Sequence, residues 1–128
     1  MPVLEPLTGL RVVAGPDALD RAGWSGEGRV SMVRIAPDEV FAIGATAVDV
    51  DDPDAIVERE HGFSGATLGD AGLESVLAHV EFGLPAEPPA LVQGKVAGVP
   101  AKLLLRDGEP ALLIVQTAYV DDLRARLG

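Results

Sequence analysis

The feature that most constrains the fold is an Asp-Gly dipeptide between two aliphatic segments in the last third of the chain. Val99–Leu105 and Ala111–Gln116 consist mostly of aliphatic residues, and they flank Asp107-Gly108. Aspartate and glycine favour a tight turn between antiparallel strands because both residues tolerate left-handed backbone angles. The sequence therefore predicts a β-hairpin over Val99–Gln116. Leu91–Val96 precedes it as a further expected strand.

A second hairpin is expected in the first half of the chain. Arg29–Ile35 carries an alternating apolar pattern, and Val40–Ile43 resumes it after a short turn that contains proline and aspartate. Two strand-like segments joined in this way are typical of a β-hairpin.

The N-terminal segment, 1–28, is expected to be less regular than the rest of the chain. Ala18–Ala22 fits a single helical turn. Gly23, Gly26 and Gly28 follow it, and we interpret this glycine-rich stretch as a flexible link.

An extended region in the middle of the chain permits two interpretations. In the first, Ala55–Glu58 and Phe63–Leu68 are two strands of a hairpin, interrupted by Glu60-His61-Gly62. In the second, a short helix spans Pro53–Glu60, because an aspartate that could cap it precedes the proline at its first position.

Two main helices are predicted, at about 70–82 and 118–127. Apolar residues in the first helix recur with the spacing of one buried helical face; these are Leu73, Val76, Leu77 and Val80. For the second helix, Thr117 is the expected cap. Strands followed by a closing helix predict an α+β fold with a mixed or antiparallel sheet, in a single domain over 1–128.

Composition limits the classes of partner and compartment. Apolar residues make up 48% of the chain but aromatic residues only 4%, so the core must be mainly aliphatic. The formal net charge of −10 repels phosphate backbones, which argues against nucleic acid and anionic membranes as partners. The chain has no cysteine, which excludes disulfides and thiolate metal sites and suits a cytoplasmic location. We find no secretory signal pattern in Met1–Leu10.

The sequence contains no recognisable catalytic or metal-binding motif. His61 and His79 both lack a second histidine at metal-ligand spacing. The aspartates between 49 and 54 lack the glycine and glutamate of a calcium loop, so we interpret them as a solvated acidic turn. We therefore assign no catalytic and no metal-ligating residue. An enzyme that uses Glu58, Glu60 and His61 in a pocket remains as an alternative.

Three aromatic residues are candidates for a protein interface: Trp24, Phe63 and Tyr119. Trp24 and Tyr119 are the only residues of their kinds, and Trp24 lies in a glycine-rich stretch. Exposed tryptophan and tyrosine side chains concentrate at interface centres. The competing interpretation for Trp24 is a ring that packs on the protein's own core.

Two stretches resemble a known family. The first is Arg34–Gly44, with the sequence RIAPDEVFAIG, and the second runs from Ala90–Lys102 through Ala111–Val115 to Tyr119 and the closing helix. Together they resemble the γ subunit of heterotetrameric sarcosine oxidase and, more broadly, the folate-binding domain of glycine-cleavage T proteins. In that family a Pro-Asp-Glu strand pair comes early, and a hairpin followed by a helix comes late.

The resemblance implies a non-catalytic accessory subunit of a flavin- and folate-linked amine oxidoreductase complex. It implies protein partners, the larger oxidoreductase subunits, which would carry any FAD, FMN, NAD or tetrahydrofolate. No cofactor-binding residue is assigned in this chain. The same family leaves a second alternative, a stand-alone domain that binds a folate-type small ligand.

Overall fold

A computed structural model describes residues 3–81 and 88–127. It contains seven strands: β1 (Glu5–Val13), β2 (Gly23–Ala36), β3 (Glu39–Asp49), β4 (Ile56–Leu68), β5 (Ala90–Val96), β6 (Val99–Leu105) and β7 (Ala111–Gln116). Its helices are α1 (Pro16–Arg21), α2 (Asp70–Leu77) and α3 (Val120–Leu127), and a 3₁₀ turn, Thr117–Tyr119, precedes α3. The fold is α+β and dominated by antiparallel strands, as the sequence predicts.

The chain forms two compact units. The N-terminal unit comprises Leu7–His61, and the C-terminal unit comprises Met1–Pro6 with Gly62–Gly128. Both β1 and β4 run from one unit into the other. That one domain spans 1–128 stays a prediction.

The N-terminal unit is built on three antiparallel strands in the order β2-β3-β1. Alternate side chains of β1 and β3 enter one apolar cluster, since successive residues of a strand point to opposite faces. The buried members of this cluster are Leu10, Val12, Ala14, Leu19, Val40, Ala42 and Ala45. Leu19 comes from α1, which thereby joins the core of this unit. The predicted β2–β3 hairpin is confirmed, with its turn between Ala36 and Glu39.

In the N-terminal segment, the helical turn expected at Ala18–Ala22 is present as part of α1. The expected flexible link is wrong, because its three glycines lie within β2. The described residues 3–28 thus hold β1, α1 and the first part of β2. A register shift separates Gly26 from Ser31 where β2 faces Gly44, whose φ is +86°. A Cβ at Gly26 would overlap the carbonyl oxygen of Gly44. Glycine here permits a β-bulge and a close backbone approach within a strand.

Arg34 ties α1 to the β2–β3 turn. Its guanidinium donates to Asp20 Oδ1 at 2.9 Å and to the Pro37 carbonyl at 2.6 Å. It also reaches the carbonyls of Ala36 and Pro16, at 3.2 and 3.3 Å. One planar donor group therefore satisfies acceptors on both elements.

The C-terminal unit orders its strands β4-β7-β6-β5, and its three pairings are antiparallel. Strand β7 is the best protected, with five of its six residues buried. The Val99–Gln116 hairpin is confirmed, with β6 and β7 joined across Asp107-Gly108. The expected strand Leu91–Val96 is also confirmed within β5.

The predicted strand Phe63–Leu68 is confirmed within β4, and Ala55–Glu58 is confirmed from Ile56 onward. The break between them and the alternative helix are wrong, because β4 continues from Ile56 to Leu68 through His61 and Gly62. Its second half, Phe63–Leu68, pairs with β7. This long-range pairing begins directly after the residues where the local sequence indicates a break.

The predicted helix over 70–82 is too long. α2 ends at Leu77, and a turn at Ala78 and His79 follows it. Val80 forms an isolated antiparallel bridge with Val96 instead of a further helical turn. Phe82, the predicted end of the helix, lies outside the described residues.

The C-terminal helix is confirmed with a correction at its start. The expected range 118–127 begins with the 3₁₀ turn, and the α-helix proper starts at Val120. Thr117 makes no side-chain cap, and its hydroxyl bonds to the buried Ser64 hydroxyl at 2.9 Å. Leu123 of α3 is fully buried in the core of the C-terminal unit.

Within the described part of the chain, no helix is long and apolar enough to span a membrane.

Candidate functional site

A groove of about 360 Å³ lies in the N-terminal unit. It is lined by Thr8–Leu10 of β1, by Ala45 and Thr46 of β3, and by Arg59–His61 of β4. A volume of this size falls within the usual range for small-molecule sites. The groove is therefore the first candidate for a functional site.

The floor of the groove is small and apolar. Leu10 and Ala45 are both buried there, in the core of the N-terminal unit. Gly9 adds no side chain, and a Cβ at this position would overlap the carbonyl oxygen of Ala42 on β3. Only glycine allows β1 and β3 to approach so closely, so the backbone geometry that shapes the groove depends on this residue.

The rim of the groove is polar. Thr8, Thr46, Arg59 and His61 are all exposed there. Because side chains alternate along a strand, Arg59 and His61 project from one face of β4, and Glu58 and Glu60 project from the other. The rim can offer guanidinium, imidazole and hydroxyl groups to a bound molecule.

The carboxylates of β4 interact with Arg11. Its Nε lies 2.8 Å from Glu39 Oε2, and its Nη1 lies 3.5 Å from Glu58 Oε2. The hydrogen bond and the charge of Glu39 raise the pKa of Arg11 most, and the charges of Glu58 and Glu60 raise it further. Glu58 and Glu60 therefore act on Arg11 as counter-charges.

The three residues of the alternative catalytic set do not all line the groove. Glu60 and His61 line the groove, whereas Glu58 is engaged with Arg11 and does not line it.

The candidate interface aromatics lie in both units. Trp24 is half-buried and packs against the core cluster of the N-terminal unit, as the competing interpretation expects. Tyr119 is half-buried and packs against the core of the C-terminal unit. Phe63 is also half-buried, and Lys102 Nζ lies 5.7 Å from the centroid of its ring, which is cation–π range. Their role in an interface stays a prediction.

Phe63 and Lys102 also line a smaller groove of about 160 Å³ in the C-terminal unit. Strands β5, β6 and β7 supply its other walls, including Gln93 and Gln116.

The aspartate-rich segment has a structural role at Asp52. Its Oδ2 accepts a hydrogen bond from the Gly15 backbone N–H at 2.8 Å, and its Oδ1 accepts one from the Asp54 N–H at 2.9 Å. These two bonds lower the pKa of the Asp52 carboxyl. Within the residues that the structure describes, no group of three or more His, Asp or Glu side chains is arranged to hold a metal ion.

Most of the groove could not be identified from the sequence. Thr8, Gly9 and Thr46 carry no motif. Thr8 and Gly9 reach Arg59 only through strand pairing across roughly 50 residues of sequence. The sequence indicates His61, although as part of an apparent break in β4. The alternation Arg59-x-His61 was the one local signal, and it becomes visible once β4 is known to be continuous.

Comparison of the chain with protein-family models, with curated proteins and with solved structures found no match.

Proposed function

We propose that this chain is a non-catalytic accessory subunit of a flavin- and folate-linked amine oxidoreductase complex of the sarcosine oxidase type. It acts by binding larger subunits, and those subunits carry the flavin and the catalytic groups.

The observation that carries the proposal is the folding of the two stretches that resemble the γ subunit family. Arg34–Gly44 forms the β2–β3 turn and the first half of β3. The later stretch forms the β5–β6–β7 meander, followed by α3. An early hairpin and a late hairpin with a closing helix are the arrangement that the resemblance implies.

An exposed aliphatic pair supports a role in binding. Ile56 and Val57, at the start of β4, are 50% and 46% exposed. Large β-branched residues gain free energy when a partner covers them, at about 25 cal/mol per Å² of apolar surface. The net charge of −10 favours a partner whose contact face is basic.

Co-expression with the product of a neighbouring flavoprotein gene tests the proposal. The tagged chain should retain the flavoprotein through affinity and size-exclusion steps. Val57→Lys should weaken retention because it places a charge in the buried centre of the contact. Val3→Lys is the matched control, because Val3 is a 71% exposed valine in the other unit. A chain that elutes alone as a monomer beside the flavoprotein would contradict the proposal.

The second candidate is a domain that binds a folate-type small ligand, and the groove in the N-terminal unit favours it. Calorimetry with tetrahydrofolate tests this function. Saturable heat with the isolated chain supports it, and the absence of heat at about 1 mM ligand, the weak limit for such a site, rejects it.

A further inference from the structure

We propose that the groove between Thr8, Thr46 and Arg59 binds a small organic carboxylate that has an apolar body. The inference concerns the groove alone. It does not depend on whether the chain joins an oxidoreductase.

The side of the groove that carries Arg59 favours a negatively charged ligand. Among residues 3–81 and 88–127, the structure gives Arg59 and His61 no hydrogen-bond or ion-pair partner. Arg11 and Arg34, by contrast, are paired with carboxylates of their own unit. An unpaired guanidinium over a concave site, in a chain of net charge −10, is a ready bidentate partner for a carboxylate.

The carboxylate of Glu60, which lies between Arg59 and His61 in the sequence, interacts with Arg11. Glu60 lines the groove, but its charge acts on Arg11, whose side chain projects from β1 on the face opposite Leu10. The strand alternation of β4 likewise separates Glu60 from Arg59 and His61. The Arg59 guanidinium therefore does not share its face of β4 with a carboxylate of residues 58 or 60.

The apolar floor of the groove favours a ligand whose body is apolar. Leu10 and Ala45 present apolar surface, and Gly9 adds no side chain to the floor. A fully solvated inorganic anion gains nothing from such a floor, whereas an aliphatic or aromatic body is desolvated on it. Thr8 adds a hydroxyl donor at the rim, whereas the Thr46 hydroxyl donates to the Ser25 carbonyl at 3.3 Å.

Benzoate, its neutral analogue benzamide and inorganic phosphate form the probe set. Titration of the isotope-labelled full chain, followed by amide NMR shifts, should place the benzoate changes at Gly9, Thr46 and His61. We expect a Kd on the order of 1 mM for benzoate, a ligand of this size. Binding of benzamide should be about tenfold weaker, because it lacks the charge-assisted contact.

Arg59→Gln should weaken benzoate binding about tenfold, and it should keep the dispersed spectrum of the folded chain because Arg59 is exposed. Arg21→Gln is the matched control, an equal change of charge on α1, and it should leave the affinity unchanged.

The proposal is overturned by any of three results. The first is that no groove amide shifts up to about 50 mM benzoate, well above the expected Kd. The second is that benzoate and benzamide bind with equal affinity. The third is that phosphate binds at the same amides as tightly as benzoate. The comparison of the three probes on the unaltered chain does not depend on the folding of any variant.

Discussion

At the scale of single residues, the tightest backbone constraints lie in the turn between β5 and β6. Ala97 has a φ of 50° and Gly98 a φ of 80°, both in the left-handed region. Glycine adopts this region freely, but alanine does so at a cost of about 1 kcal/mol. Arg126 Nη1 donates to the Ala97 carbonyl at 2.9 Å, and the Gly98 N–H donates to the Glu81 carboxylate, so both residues are fixed by contacts outside the turn.

Ala97→Gly should therefore stabilise the protein. The gain from relieving the left-handed alanine exceeds the extra entropy of the unfolded chain, and we expect about 0.5 kcal/mol in the free energy of unfolding by urea. Ala47→Gly, at an exposed position of β3 paired with Ser25, is the control. It should destabilise by about 0.5 kcal/mol, because glycine weakens an ordinary strand. Equal effects of the two substitutions would contradict the role assigned to Ala97.

Asp52 makes stability depend on acid pH. Its pKa is lowered in the folded protein, below the ordinary aspartate value of about 4, by the N–H groups of Gly15 and Asp54. The unfolded chain then binds more protons in acid, so this contribution to stability is full above the ordinary value. It is lost as the pH falls through the lowered value.

Asp52→Asn should remove that dependence. Asparagine keeps one acceptor oxygen but does not titrate, so the variant should lose more stability at pH 5.5 than at pH 3, measured by urea unfolding. Asp51→Asn removes the same charge next door without touching either hydrogen bond, and it should not flatten the pH profile. A parallel offset of the Asp52→Asn profile at both pH values would show that the lowered pKa contributes nothing.

At the scale of elements, a hydrogen bond between two hydroxyls joins the buried Ser64 of β4 to the exposed Thr117 of the 3₁₀ turn before α3. Ser64 is 2% exposed, and its Oγ lies 2.9 Å from Thr117 Oγ1. Thr117→Val should cost about 1–3 kcal/mol of unfolding free energy, because it leaves the Ser64 hydroxyl without its partner. Ser64→Ala should cost about 1 kcal/mol.

The double variant, Ser64→Ala with Thr117→Val, should cost clearly less than the sum of the single changes. Replacing both partners with apolar groups removes the unsatisfied donor along with the hydrogen bond. Additive losses in the denaturant midpoints of the four proteins would mean that the two hydroxyls do not stabilise each other.

Arg34 is the corresponding anchor for α1. Arg34→Met keeps the aliphatic stem but frees the acceptors of Asp20, Pro16 and Pro37, and we expect a loss of about 1–2 kcal/mol. Hydrogen exchange at the Leu19 amide, which bonds to Gly15, should speed up with it. Arg21→Met, in the same helix, should cost less than about 0.5 kcal/mol. Unchanged exchange at Leu19 would contradict this role.

The sequence predicts elements well where the controlling contacts are local. The Asp107-Gly108 and Pro37-Asp38 pairs favour tight turns by their own backbone preferences, and both hairpins are predicted from these turns. The prediction fails where distant pairing decides the structure. Gly62 looks like the end of a strand until β7 is placed beside Phe63–Leu68, and the helix ends early because Val80 pairs with Val96. Long-range pairing of this kind overrides local propensity.

At the scale of the whole molecule, the protein has two different kinds of surface. The groove of the N-terminal unit is lined by Arg59, which has no ion-pair partner among residues 3–81 and 88–127, and we propose that it binds a small anion. The exposed Ile56 and Val57 are suited to contact with a larger partner. The sequence indicates only Glu60 and His61 as residues of a pocket. The rest of both surfaces depends on which face of a continuous β4 each side chain occupies.

The central claim is that the chain contributes to amine oxidation as a bound subunit and supplies no catalytic group. Its most direct test is sarcosine-dependent turnover, measured with the chain alone, with the partner flavoprotein subunits alone, and with all of them reconstituted. The account predicts no turnover by the chain alone, together with a gain in the activity or lifetime of the flavoprotein when the chain is added. Turnover by the purified chain without any other protein would contradict it.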